Sequence, residues 1–255
     1  MDPDQRAQSL SVAERLGATV YDLVVREVAD LTPSMRRITL GADGLAGLGS
    51  LPGQDIMLSV ASADGSWVRR RYSVRFFDPV AEQVVLDVVA HGDGPGARWA
   101  AGVAVGDVVE GIGPRGKVLI DPEATWHLFV GDESFTPATF SMVESLTPAT
   151  PATVILEVDG ADDELQLDAA ACPDGPRWLH RVQSPGEASA VVLDAVRAVE
   201  LPSGAGFVYL GGEFHTVAAV RNLLVERGLD KEHLSAKPYW RAHMANASHG
   251  EPVKE

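Results

Sequence analysis

The run Arg69-Arg70-Arg71-Tyr72-Ser73-Val74-Arg75 concentrates more chemistry than any other stretch of this chain. A guanidinium is a planar fork that grips a phosphate through two hydrogen bonds. A tyrosine ring gives a flat face to an aromatic ligand and keeps a hydroxyl for hydrogen bonding. Residues two apart on a strand share a face, so Arg70 and Tyr72 can act on one ligand while Arg71 and Ser73 turn the other way. Such a set can build a flavin site. The same run also reads as a charged, solvated edge strand, and the residues alone leave both readings open. A second stretch, Ala90-His91-Gly92-Asp93-Gly94-Pro95-Gly96-Ala97-Arg98-Trp99-Ala100, runs from a strand through a glycine-rich turn into a short helix. Backbone N–H groups at such a turn can bind phosphate; an ordinary Gly-Pro turn has the same composition. Gly113-Pro114-Arg115-Gly116 reads as one more turn.

Other chemistries find no footing. The seven histidines (91, 127, 180, 215, 233, 243 and 249) are scattered, with no H-E-x-x-H and no Cys/His pairing, so no protein-bound metal is expected. There is no G-x-S-x-G elbow for a serine hydrolase. The single cysteine, Cys172, reads as a passive loop residue and excludes an intramolecular disulfide, in keeping with a reducing cytoplasm.

The elements that must position these residues divide the chain in two. Six short β-branched runs fill the first half: Val20 to Val28, Arg36 to Leu40, Asp55 to Val60, Val68 to Val74, Val84 to Ala90 and Asp107 to Gly111. Turn clusters separate them, which predicts a small antiparallel barrel or sandwich. One helical piece is expected over Pro95 to Ala101. The second half alternates strands with helices, which implies a parallel sheet. Strands are expected at His127 to Val130, Thr153 to Val158, Arg177 to Val182 and Phe207 to Leu210. Helices are expected from Thr136-Pro137 to about Leu146 (N-cap Thr136), near Ala188 to Val199, and up to Gly228. In the last of these Val217, Val220 and Leu224 share a face. The expected domains are 18–122 and 123–243, with a polar, mobile tail at 244–255.

Composition bounds the function further. The chain has 255 residues, 45% apolar and 22% charged, a globular balance and not a disordered one. Its 21 basic and 36 acidic residues give a net charge of −15, which repels nucleic acid. No run is long and apolar enough for a membrane span, and the polar N-terminus has no secretory character, so a cytoplasmic protein is expected.

Arg70-x-Tyr72-Ser73 resembles the R-x-Y-[ST] flavin motif of the ferredoxin reductase superfamily. The longer set is more specific: LTPSMRRITL (31–40), GQDIMLSV (53–60), RRYSVR (70–75), VVLDVVAHGDGPGARWA (84–100), GDVVEGIGPRG (106–116), GDESFTPA (131–138) and YWR (239–241). Together, and in order, they resemble the siderophore-interacting proteins, flavin-dependent reductases of ferric siderophores. The resemblance implies an antiparallel six-stranded flavin-binding β-barrel followed by an α/β nicotinamide-binding domain. It implies FAD as cofactor, with NADPH or NADH as the electron donor. Arg70 would contact the pyrophosphate and Tyr72 would pack on the isoalloxazine. Ser73 and Val74 would lie beside it, with Asp87 and Trp99 in the same cofactor-binding set. His91 and Gly92 would lie by the adenine-side arm, and Gly94, Pro95, Gly96 and Ala97 would cradle phosphate. Asp132, Ser134 and Pro137, with Glu133 and Ala138, would form the nicotinamide-side loop, and Glu213 would sit in the second loop of that crevice. The flavin carries the chemistry, so no catalytic acid or base is assigned. The basic island at Arg69 to Arg75 also stands as an attractor for anionic ferric chelates.

Three departures from the family pattern bear on function. The pattern G-P-A-S-x-W-A becomes Gly94-Pro95-Gly96-Ala97-Arg98-Trp99-Ala100, which lacks a phosphate-binding hydroxyl worth about 1.5–3 kcal/mol. In D-E-T-A-L-P-A, Phe135 stands for a small residue; in the cleft its ring would occupy a nicotinamide's space, in the packing it would change nothing. The ending G-Y-W-R-x-G becomes Pro238-Tyr239-Trp240-Arg241-Ala242-His243. Phe135 and the changed ending keep an alternative open: a biosynthetic FAD-binding protein of the same fold that has lost nicotinamide use and acts on a small hydrophobic intermediate in a non-redox or cyclase-type pocket. The substrate is a small molecule in either case.

Overall fold

The computed structural model describes residues 3–116, 118–182 and 186–244. The tail expected beyond Met244 lies outside the described residues. The chain folds as two compact units, Met1–Leu119 and Ile120–Glu255.

Unit one begins with a helix that the sequence reading did not anticipate, α1 (Pro3–Leu16). Seven strands follow: β1 (Thr19–Asp30), β2 (Met35–Gly41), β3 (Asp55–Ala61), β4 (Trp67–Ser73), β5 (Phe76–Asp78), β6 (Gln83–Val89) and β7 (Val108–Arg115). A second helix, α2 (Pro95–Gly102), lies between β6 and β7. All neighbours in the order β4-β3-β7-β1-β2-β6-β5 are antiparallel. The sheet is thus a curled half-barrel of seven strands, not six. The added β5 is three residues long and merges with an Asp-Pro turn signal. Gly113 to Arg115, expected as a turn, instead finishes β7.

Alternation decides which side chains reach the core. Ile56, Leu58 and Val60 of β3 and Val84, Leu86 and Val88 of β6 face inward with Leu23, Val25, Ile38 and Leu40. Met57 and Ile112 face the other way and pack under α1 against Ala13. The helix was missed because little of it is apolar, so helical periodicity gave no signal.

Unit two is a parallel sheet in the order β10-β9-β8-β11-β12. Its elements are β8 (Trp126–Asp132), α3 (Thr136–Glu144), β9 (Ala152–Val158), β10 (Arg177–His180), α4 (Ala190–Ala198), β11 (Gly206–Glu213), α5 (Phe214–Glu226) and β12 (Leu234–Trp240). The chain steps outward from β8 to β10, then returns to the other side of β8 for β11 and β12. That reversal opens a crevice beyond the carboxyl ends of β8 and β11, the usual ligand position in such sheets. Trp126, Leu128 and Val130 pack with Val192 and Val196 of α4 and with Val217, Val220 and Leu224 of α5. Gly228, at φ +92°, follows α5 as expected of a C-terminal cap. β12 was not anticipated because Pro238 reads as a breaker. It is an edge strand bonded only to β11, where proline is tolerated.

Candidate functional site

In unit one, β4 pairs Tyr72 with Ile56 and Arg70 with Leu58, so both side chains share the core face of the sheet. Arg69 and Arg71 stand on the opposite face. The Tyr72 ring is tilted 40° to the Trp99 ring of α2, with centroids 5.4 Å apart. Its hydroxyl is buried and finds no hydrogen-bond partner among the described residues. Burial pushes that phenol well above its usual pKa, so it stays a proton donor at any physiological pH. A Cβ at position 96 would come within 2.7 Å of the Tyr72 hydroxyl. Glycine there is what allows α2 to approach the ring. Arg70 is half-buried, and its desolvation lowers its pKa.

Helix α2 starts after Gly94 with Pro95 in its first turn, and no side chain caps it. Its leading N–H groups are therefore without a side-chain acceptor. A buried tyrosine hydroxyl, a guanidinium and an uncapped helix start make one donor set, which fits a flavin dinucleotide: phosphates for the Arg70 fork and the N–H groups, an aromatic ring for Tyr72.

The remaining expected residues fall in three groups. Trp99 joins Tyr72, and Pro95 and Ala97 shape the first turn of α2. His91 and Gly92 lie exposed at the turn before it, with Gly92 at φ +90°. Arg98 is also exposed and donates to the Asp93 carbonyl. Ser73 and Val74 are buried at the end of β4, where Val74 N–H donates to the Gln54 carbonyl at 2.9 Å. Asp87 departs from the expectation. Its neighbours Leu86 and Val88 point into the core, so its carboxylate points outward, gripped by Arg37 at 2.7 and 2.8 Å with Arg75 at 3.8 Å. It is not on the face of Arg70 and Tyr72. Arg69 departs as well: it lies under α1, which removes it as an exposed attractor for anionic chelates.

In unit two the expected loop residues converge on Asp132 at the end of β8. One carboxylate oxygen accepts from Ser134 N–H at 3.0 Å and from Ser134 Oγ at 2.6 Å. The other accepts from Glu213 N–H and Trp240 Nε1, both at 2.8 Å. Glu213 in turn accepts from the N–H groups of His215 and Thr216 at the start of α5. Pro137 and Ala138 are buried within α3, and the N-cap position belongs to Phe135, not Thr136. Arg181 was not anticipated. Its guanidinium meets Glu133 at 2.5 Å, Glu157 at 3.5 Å and Asp159. Against the cost of burial, Glu133 above all, with Asp132 and Asp159, holds Arg181 above its usual pKa. No local motif marks that network, because its members come from the ends of three strands.

Phe135 is 1% exposed. Its ring lies over Gly131 and Gly211 and meets the Tyr239 ring edge-on at 5.5 Å. Of the two positions left open by the sequence, the ring takes the one in the packing.

Burial and the Glu133 carboxylate push Asp132 up to about 7 in the fold, from 3.8. Between those two values the folded state holds a proton that the unfolded chain releases, even though the hydrogen bonds from Ser134 and Trp240 favour the carboxylate. The associated stability is complete below 3.8 and is lost as pH rises through about 7. Thermal unfolding of unit two should occur at a lower temperature at about pH 8 than at about pH 6, with Trp240 fluorescence tracking the same titration. Asp132→Asn should flatten that dependence; an unchanged pH profile in the variant would assign the titration elsewhere.

Comparison with known proteins agrees with both units. Residues 57–118 match the siderophore-interacting FAD-binding domain, and residues 124–243 match the siderophore-interacting protein model. The chain is 33% identical over 181 residues to the ferric vibriobactin reductase of Vibrio cholerae, covering 68% of this chain. It spans 64% and 65% of the length of the mycobacterial and Vibrio relatives that it matches. It is 24% identical over 243 residues to the NADPH-dependent ferric-chelate reductase of Escherichia coli, covering 87% of this chain and 92% of that protein. A siderophore utilization protein from T. fusca superposes with a TM-score of 0.82 at 33% identity, covering 92% of this chain and 97% of that one.

Proposed function

Because the chain belongs to the siderophore-interacting protein family, we propose that it is an FAD-dependent reductase of ferric siderophores that draws its electrons from NADPH or NADH. Bound FAD would supply the redox chemistry, linking a two-electron hydride donor to one-electron reduction of ferric iron, whose Fe(II) complexes are weaker. The chain's own residues bind and orient. Arg70 holds the pyrophosphate with its fork, and the first turn of α2 takes phosphate oxygens on its N–H groups. Tyr72 would pack against the flavin ring system, and Trp99, whose ring centroid lies 5.4 Å from that of Tyr72, would support it. None of these residues has to move a proton, which suits electron transfer.

The observation that carries the reading is the Tyr72 hydroxyl, buried and partnerless beside an uncapped helix start. A buried donor left unsatisfied costs about 1–3 kcal/mol, which a flavin acceptor would recover. The names of the Vibrio and Escherichia coli relatives support the substrate class and, for the latter, NADPH. Within unit two, Ser134 and Glu213 flank the crevice suited to a nicotinamide nucleotide. The alternative of a biosynthetic flavoprotein without nicotinamide use draws on Phe135 and on the changed C-terminal pattern; of these, the buried Phe135 ring lends it no support.

The test is an anaerobic titration of the FAD-loaded protein with NADPH and then NADH, followed in the visible flavin band. Bleaching, reversed by about two ferric chelates per nucleotide, is the expected result. A bound flavin that neither nucleotide bleaches would overturn the donor assignment.

A further inference from the structure

We propose that α1 belongs to the flavin-binding apparatus: through Ser9, Glu110 and Arg69 it positions the edge strand that carries Arg70 and Tyr72. The inference rests on the reading that unit one binds FAD.

Among the described residues, β4 ends the sheet and its strand ladder is with β3. Its ladder therefore fixes it from one side only. An edge strand held so loosely has to be secured by its side chains if it is to present a ligand fork in one place. Arg70 and Tyr72 face the flavin side, and their neighbour Arg69 is one of the outer-face residues that can anchor the strand.

Arg69 donates from its NH2 group to Ser9 Oγ at 3.2 Å, while its Nε is buried without a partner. Ser9 is completely buried. A hydroxyl has one proton and two lone pairs. Ser9 uses the proton toward Glu110 Oε1 and a lone pair toward Arg69, so it relays between them. Glu110, buried on β7, also accepts from Ser59 Oγ of β3 at 3.2 Å and from Arg6 of α1 at 3.1 Å. Arg6 holds Asp22 of β1 at 2.8 Å in addition. One carboxylate thus ties α1 to β3 and β7 directly, and to β4 through Ser9.

The apolar contact of α1 is small, chiefly Ala13 on Met57 and Ile112. Covering apolar surface is therefore a poor account of a helix with two polar residues directed at Glu110. Without Ser9, the Arg69 guanidinium loses its anchor. Consecutive residues of a strand cannot move independently, so a shift at Arg69 carries Arg70 and Tyr72 with it.

The experiment titrates the full-length apoprotein with FAD, reading flavin fluorescence, beside thermal melts of the same apoproteins. Ser9→Ala and Arg69→Ala are each expected to weaken FAD binding roughly fivefold or more, because the fork is no longer preorganised. Arg69→Lys keeps a donor for Ser9 and is expected to hold affinity to within about twofold of wild type. Two outcomes overturn the proposal alone: alanine variants that melt earlier yet bind FAD as wild type does, or Arg69→Lys as weak as Arg69→Ala. Wild-type protein that binds no FAD overturns both this proposal and the flavin reading.

Discussion

Arg70→Ala is expected to weaken FAD binding about a hundredfold while leaving the fold intact. A charge-assisted hydrogen bond contributes about 1.5–3 kcal/mol, and a guanidinium fork can make two to one pyrophosphate. Taking about 3 kcal/mol for the pair and 1.4 kcal/mol per decade gives that factor. Arg70 suits the role because it is already partly desolvated, as its lowered pKa indicates. Binding then removes little further water from it. It is also half-buried at an edge strand, so its loss opens no cavity in the core. Arg70→Lys keeps the charge without the fork and should recover only about a tenth of the wild-type affinity. Tyr72→Phe removes a hydroxyl that has no partner in the protein. Apoprotein stability should hold or rise, while FAD affinity should fall by a single hydrogen bond, roughly fivefold. Fluorescence titration of each apoprotein with FAD measures all three. An Arg70→Ala affinity within about threefold of wild type would mean that the fork meets no phosphate.

The parts of this site that were legible in the sequence are those whose logic is local. Arg70 and Tyr72 lie two apart on a strand, and a period of two places them on one face without further information. The same rule places Asp87 outside, between inward-facing Leu86 and Val88. Its nearness to a motif outweighed a periodicity that was plainly there. The helical start after Gly94 was legible because proline and glycine punctuate it. Helix α1 was not, since it docks through Ser9, Arg6 and a small alanine and so lacks a continuous apolar stripe. β5 was too short to outweigh its own turn residues, and β12 was masked by a proline that only an edge strand accommodates. The Arg181 network was least legible of all. Glu133 and Arg181 follow β8 and β10 while Glu157 lies near the end of β9, and only the parallel order of these strands brings them together.

The second large effect is expected at Gly211. A Cβ there would lie 2.3 Å from Phe135 Cδ2 and 2.5 Å from its Cγ. One added at Gly131 would meet the same ring at 2.7 Å and the Gly211 carbonyl at 2.3 Å. The two glycines on adjacent strands β8 and β11 thus form a floor without side chains, and Phe135 is the ring that covers it. The ring cannot easily give way, being fully buried with Tyr239 against its edge. Gly211→Ala alone should therefore destabilise unit two by about 1–3 kcal/mol through overpacking. Phe135→Ala alone should cost about 3–5 kcal/mol by leaving a cavity. Combined, the new methyl occupies part of that cavity, so the double variant should be more stable than the sum predicts by about 0.5–3 kcal/mol. Urea or thermal unfolding of the four proteins reads this coupling directly. Strict additivity would place the ring away from Gly211. The same variants separate the two positions that the sequence left open for Phe135. A ring filling the nicotinamide's space would make Phe135→Ala a faster NAD(P)H oxidase with an undisturbed melt. A ring that roofs two glycines makes it a less stable protein with no gain in oxidation, and the distances to Gly131 and Gly211 favour that result.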